Sequence, residues 1–335
     1  MVRASHHSLH LCIFASLQES SPTIGGASRV YLRCVYYLQV NRTIAVPLFL
    51  LVLIAISGNA AALPQRIVSI NQCADELLLN LADIDQIRSV THYVKDPQAS
   101  WDASLAVNIP GNYGRIEEVI GYDPDLVFVG DFNARSTVNI LRNLGVEVVE
   151  LRHPRRLEQA IAQILEVAAK VGHPERGKRL IAELREQLEP GDQPVGKVSA
   201  VVYQPNGFTT GKETIIDDVM QAAGLNNIAS EWDTTAYSYF PMERLLWRRP
   251  QLLILDPQSH DAPSMAHQML EHPALIDFFG QTRTVSVPPQ AWACGSHHVG
   301  RAVTLLRQAA APFSEAAAPY NEAAAPYNEA AALLR

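Results

Sequence analysis

Short, unbroken apolar runs recur through the middle of this chain, and stretches with helical spacing separate them. β-Branched runs at 66–70 (RIVSI), 89–93 (SVTHY), 125–130 (DLVFVG) and 147–151 (EVVEL) predict a first set of strands. A second set is predicted at 197–204 (KVSAVVYQ), 252–256 (LLILD) and 283–287 (RTVSV). Runs that do not alternate with polar residues belong to strands buried on both faces. Between them, 73–82 (CADELLLNLA), 136–145 (STVNILRNLG), 214–224 (TIIDDVMQAAG) and 299–308 (VGRAVTLLRQ) carry apolar residues at helical period. Gly145 and Gly224 stand where helix C-caps are expected. Alternating strand and helix predicts an α/β fold of parallel sheets covered by helices.

A purely helical block, 157–190, divides the two sets. LEQAIAQILEVAAKV (157–171) is followed by PERGKRLIAELREQLE (174–189), where Pro174 suits a first turn. The second helix is about 16 residues, roughly 24 Å at the usual rise. The expected architecture is therefore two doubly wound lobes, 63–156 and 191–308, joined by a rigid inter-lobe helix, with a ligand cleft between the lobes.

One sentence is written twice. RIEEVIGYDPDLVFV (115–129) places Glu117 seven residues before Pro124, and MERLLWRRPQLLIL (242–255) places Glu243 seven residues before Pro250. An apolar run follows each. Both glutamates would open a helix that leads through proline into a buried strand. An acid near a helix N-terminus is favoured by the dipole, which is a sufficient local reason for both.

The two ends differ from the body. Residues 44–56 (IAVPLFLLVLIAI) form a 13-residue apolar run, preceded by Arg42 and followed by an Ala-x-Ala site at Ala60 and Ala62. This is the layout of a cleavable secretory signal, with cleavage near Ala62 expected and an uncleaved N-terminal anchor as the alternative. The run is short of the roughly 20 residues a membrane-spanning helix needs. No cysteine follows it closely, so a lipoprotein anchor is not expected. No methionine occurs between Met1 and Met220, and residues 1–40 read as an extension ahead of the true start. At the other end, 309–335 repeats AAAPYNE-like heptads, each broken by proline, and reads as a low-complexity tail.

The formal charge of −7 and the absence of a basic run argue against a nucleic-acid partner. Of four cysteines only Cys73 and Cys294 lie beyond residue 62, at no recognised metal spacing. An enzyme would need a nucleophile and base, for which Cys294 with His297, or Lys212 with Glu213, are the candidates. No phosphate loop or nucleophile elbow supports that class; TGKET (210–214) lacks the full loop spacing and reads as a helix start.

The order of these segments resembles one family. RIVSINQCADELLLNL, IPGNYGRIEEVIGYDPDLVFV, NGFTTGKETIIDDVMQAAGLNNI and HPALIDFFGQTRTVSVPPQAW are similar, in sequence order over 66–310, to signatures of periplasmic substrate-binding proteins. The family is that of ferric-siderophore and vitamin B12 importers, and the vitamin B12-binding members are nearest in pattern. The resemblance implies a non-enzymatic periplasmic receptor, expected to be a monomer, with no intrinsic cofactor. Its ligand would be a metal chelate, whether corrinoid, ferric siderophore or haem. Its partner would be the permease dimer of an ABC importer with its cytoplasmic ATPase. It also implies that Glu117 and Glu243 dock onto permease arginines, with Glu118 an adjacent rival to Glu117. A sensory domain that kept the fold without transport is the remaining alternative.

Ligands of open α/β sheets bind beyond the carboxyl ends of the strands. The loops expected there carry Tyr93, Tyr113, Phe132, Phe208, Tyr239 and Trp292, faces suited to a large flat ligand. Tyr113 and Trp292 are the residues the resemblance favours. Cys73 and Cys294 have three readings: small buried hydrophobes, an inter-lobe disulfide, or ligand contacts in which Cys294, His297 or His298 touches the metal centre of the chelate. No metal ion held by the protein alone is expected, because only His92, His297 and His298 fall in cleft loops.

Overall fold

The computed structural model describes residues 63–131, 133, 135–190, 198–232, 236–255 and 268–314. The predicted extension and signal (1–62), Phe132 and the tail beyond 314 lie outside the described residues.

The first lobe runs β1 (Ile67–Ser69), α1 (Gln72–Leu81), β2 (Ile87–Thr91), β3 (Gly111–Asn112), α2 (Ile116–Ile120), β4 (Leu126–Gly130), α3 (Arg135–Asn143) and β5 (Glu147–Leu151). Its five strands are all parallel, in the order β3-β2-β1-β4-β5. Two helices follow, α4 (Leu157–Lys170) and α5 (Pro174–Leu188), with Pro174 in the first turn of α5.

The second lobe contains β6 (Val198–Tyr203), β7 (Phe208–Thr210), α6 (Ile215–Ala222), β8 (Leu225–Asn227) and β9 (Tyr237–Tyr239). It continues with α7 (Met242–Arg248), β10 (Leu252–Leu255), α8 (Pro273–Phe279), β11 (Thr284–Ser286) and α9 (Val299–Ser314). Its main sheet is parallel, in the order β11-β10-β6-β8, while β7 and β9 form a separate antiparallel pair. The chain is thus α/β, with two separate parallel sheets and one short antiparallel pair among the described residues.

Side-chain alternation along the strands shows where the core lies. In β4, Leu126 and Phe128 join a central apolar cluster, while Val127 and Val129 join an outer one with Val138 and Leu141 of α3. In β6, Ala200 and Val202 join the same central cluster, and Val201 and Tyr203 join an outer one with Phe240 and Phe279. The central cluster also takes Ile164 of α4, Leu184 of α5 and Leu306 of α9. The inner faces of both sheets are therefore buried against one shared helical layer, not merely linked by a strut. Arg307 on α9 strengthens this layer. Its guanidinium donates to carbonyls of Gln187, Leu188 and Glu189 at the end of α5 and of Ala222 at the end of α6. Helix C-termini carry orphan carbonyls and favour such a cation.

The helix α9 runs six residues past the expected 308 and includes Pro312. Proline forfeits one hydrogen bond, but Ala310 is buried and Phe313 packs on the central cluster. The first heptad therefore belongs to the fold instead of the tail. Strand β2 also lies two residues earlier than the pattern suggested.

Candidate functional site: the edge where the strands end

Parallel pairing brings the carboxyl ends of the strands in each sheet to one edge. In the first lobe that edge presents Asn71 after β1, His92 and Tyr93 after β2, Tyr113 after β3, Asp131 after β4, and Arg152 and His153 after β5. Strand order reverses between β1 and β4, where Asn71 caps α1 by accepting from the Ala74 N–H at 3.0 Å. Gly130 leaves room for this cap, because a Cβ here would push on the Asn71 side chain.

A cavity of about 310 Å³ opens at this point. First-lobe residues Asn71, Asp131 and His153 line it with Tyr237, Cys294 and Ser296 of the second. Cys73 and Cys294 are joined in a disulfide in its wall, with their Cα atoms 5.0 Å apart. Of the three readings for these cysteines, the structure takes the inter-lobe bridge. A disulfide offers neither thiolate nor nucleophile, so Cys294 is corrected both as a metal contact and as an enzymatic candidate. In the other enzymatic pair, Glu213 is ion-paired to Arg155 at 3.7 Å.

Aromatic side chains surround the edge. The His92 ring packs between Tyr93 and Tyr113, with centroids at 3.9 and 4.1 Å. Both tyrosines are well exposed, Tyr113 at 66%. In the second lobe, Phe208 and Tyr239 are cross-strand partners on β7 and β9, and both are exposed. Trp292 is corrected: it is only 2% exposed and belongs to the central cluster. The loop that bears it turns inward, because the disulfide two residues on anchors it against α1.

The sequence reading missed a polar junction behind the cavity. Glu76 of α1 accepts from the Ser296 hydroxyl at 2.7 Å. Burial raises the Glu76 carboxyl to about 8, against the Ser296 hydrogen bond and with help from the charges of Asp102 and Asp75. Burial likewise raises Asp75 to about 7, although hydrogen bonds from Ser69 and Thr91 oppose it. Nearby, His298 Nε2 meets Asp102 Oδ2 at 2.9 Å, with both residues buried. Burial raises Asp102, but the hydrogen bond and charge of His298 outweigh it and hold the carboxyl below its usual range. His297 stacks on His298 at 4.0 Å, and burial followed by the His298 charge lowers its pKa. Asp102 lies in SWDAS, nearly 200 residues from its partner, and no local pattern marks it.

Glu117 and Glu243 are exposed, near the starts of α2 and α7. Glu118 accepts from the Tyr113 N–H at 2.7 Å and closes the 111–114 loop. That separates its role from that of Glu117.

Residues 67–290 match the family model described as periplasmic binding protein. The chain belongs to the periplasmic binding protein family. Its fold is that of other periplasmic binding proteins. The periplasmic heme-binding protein RhuT from Roseiflexus sp. RS-1 aligns at a TM-score of 0.60 and 21% identity, over 73% of this chain and 99% of that one. The periplasmic vitamin B12 binding protein BtuF of Vibrio cholerae aligns at 0.55 and 17%, over 75% and 98%. Among curated proteins, the cobalamin-binding protein of Halobacterium salinarum is 25% identical over 198 residues, 57% of this chain and 53% of the relative. The chain thus spans about half the length of the curated relatives it matches. Members of this periplasmic binding protein family bind solutes.

Proposed function

We propose that this periplasmic binding protein captures a large metal chelate, a corrinoid first and haem second, and delivers it to an ABC permease. One observation supports the reading: each lobe exposes aromatic rings, Tyr93 and Tyr113 just past β2 and β3 in the first, and the cross-strand pair Phe208 and Tyr239 on β7 and β9 in the second. Such rings offer stacking faces that a large flat ligand can cover. The cavity is at the small end of ligand pockets, so a macrocycle would rest across its mouth on these rings. The relatives named for cobalamin and haem fit the same chemistry. Haem is favoured as the second reading by the phenols of Tyr93 and Tyr113, since a tyrosine oxygen can ligate haem iron.

Glu117 and Glu243 would meet permease arginines through charge-assisted pairs, which set register and encounter rate more than affinity. Export by a cleaved signal ending near Ala62 belongs to the same reading. Titration with cobalamin, cobinamide, haem and ferric siderophores, followed by tryptophan fluorescence, tests it. Saturable quenching by a corrinoid or haem is expected. No response to any of them would overturn the proposal.

A further inference from the structure

The junction of Asp102, His297 and His298 has the makings of a metal centre that the protein holds by itself. Its three side chains each offer one ligand atom, and these atoms all lie within 4.8 Å of one another. Donors in one coordination shell of zinc sit at about 2.0–2.2 Å from the ion, hence roughly 3–3.5 Å apart. Asp102 and His298 already meet at 2.9 Å, and His297 is only partly buried, so a ring rotation can close the remaining gap.

A second observation points the same way. Nδ1 of His297 is buried with no hydrogen-bond partner among the described residues, which leaves it free to turn toward the atoms that Asp102 and His298 already bring together. Buried imidazole nitrogens are normally paired, and an unpaired one calls for an explanation. The frame around them is stiff. The Cys73–Cys294 bridge lies three residues before His297, and Ser296 is fixed by its bond to Glu76.

We propose that Asp102, His297 and His298 bind one divalent first-row transition ion, with zinc as the reference case. Two imidazoles and a carboxylate form a borderline N,N,O donor set that suits Zn²⁺, Co²⁺ or Ni²⁺ better than Ca²⁺ or Mg²⁺. Asp102 belongs to the first lobe and both histidines to the loop before α9. The ion would therefore clamp the lobes beside the disulfide, behind the cavity that Ser296 lines. Arg301 stacks on Trp101 at 4.6 Å, and Trp101 meets His298 edge-on at 5.2 Å. That positive charge opposes a cation and makes the site one of moderate affinity.

The test is a zinc titration of the protein, stripped with EDTA and kept in non-reducing buffer without affinity histidines, compared with His297→Ala and Asp102→Asn. Wild type should bind one more equivalent of Zn²⁺ than either variant, or bind it at least about ten-fold more tightly. Zinc should also raise its melting temperature by several degrees, reversibly with EDTA. Co²⁺ should give visible d–d absorption in the wild type that His297→Ala loses. Because His297 is partly exposed, that variant is expected to keep its far-ultraviolet dichroism and remain informative if Asp102→Asn misfolds. Equal zinc binding by wild type and His297→Ala, or no zinc binding at all, overturns the proposal. A chelate titration with and without EDTA reads the cleft separately, so failure of one reading leaves the other standing.

Discussion

The two lobes share one unit and differ in another. Around Glu117 and Glu243 they are close copies: a short helix, one residue in the left-handed region, a proline, then a buried strand. The left-handed residues are Asp123 (φ 48°) before Pro124 and Arg249 (φ 50°) before Pro250. Such a φ is uncommon outside glycine, so the match extends to backbone conformation. At the cleft edge the resemblance ends. The first lobe carries its rings on the ends of parallel strands, while the second carries them on an antiparallel pair, β7 and β9. The duplicated part suits a two-fold partner that reads both lobes alike. The divergent part suits one ligand with two unlike faces.

The largest expected effect breaks the duplicated part. Glu117→Ala with Glu243→Ala should cut chelate uptake by about a hundredfold or more. Ligand affinity should stay within about twofold, since neither residue lines the cavity. Uptake assays beside fluorescence titration check both halves, and unchanged uptake removes the docking role. Next is the join between the lobes. Cys73→Ser with Cys294→Ser should lose about 2–5 kcal/mol in urea unfolding.

The third prediction concerns pH. Glu76 rises from an ordinary 4.5 to about 8 in the folded protein. A raised folded pKa means that the native state holds a proton the unfolded chain has released. Stability from Glu76 is full below about pH 4.5 and is lost as pH climbs through 8, at up to about 1.4 kcal/mol per unit. Asp75 acts in the same direction; Asp102, held low by His298, contributes only at the acid end. Melting curves from pH 5 to 8.5 should fall with pH, and Glu76→Gln should flatten them. The smallest effects sharpen the lobe comparison. Tyr113→Ala and Tyr239→Ala should each weaken chelate binding by about 1 kcal/mol, roughly five- to tenfold. Glu118→Ala should cost about 1 kcal/mol of stability and leave uptake nearly unchanged, unlike Glu117→Ala.

The long buried strands and the helical block were legible because their apolar periodicity is local. Strands β3, β7, β8 and β9 were not, since two or three residues such as Gly111–Asn112 make no run to read. Pairing with a neighbour defines them, and pairing is a tertiary fact. Trp292 misled because a loop aromatic looks the same in sequence whether it faces a ligand or the core. Asp102 was invisible for a related reason: its meaning comes from His298, and only the fold joins them. The placement of Glu117 and Glu243 near helix starts could be read because each carries its context, a helix start and a proline, within seven residues.

The bridge between Cys73 and Cys294 spans 221 positions of chain. During synthesis the second thiol emerges only after the whole first lobe, the helical layer and most of the second lobe. Oxidation can therefore act only as a final seal on a nearly complete molecule, applied in an oxidising compartment. Until Cys294 emerges, Cys73 has no native partner and is open to exchange with any other thiol or disulfide it meets.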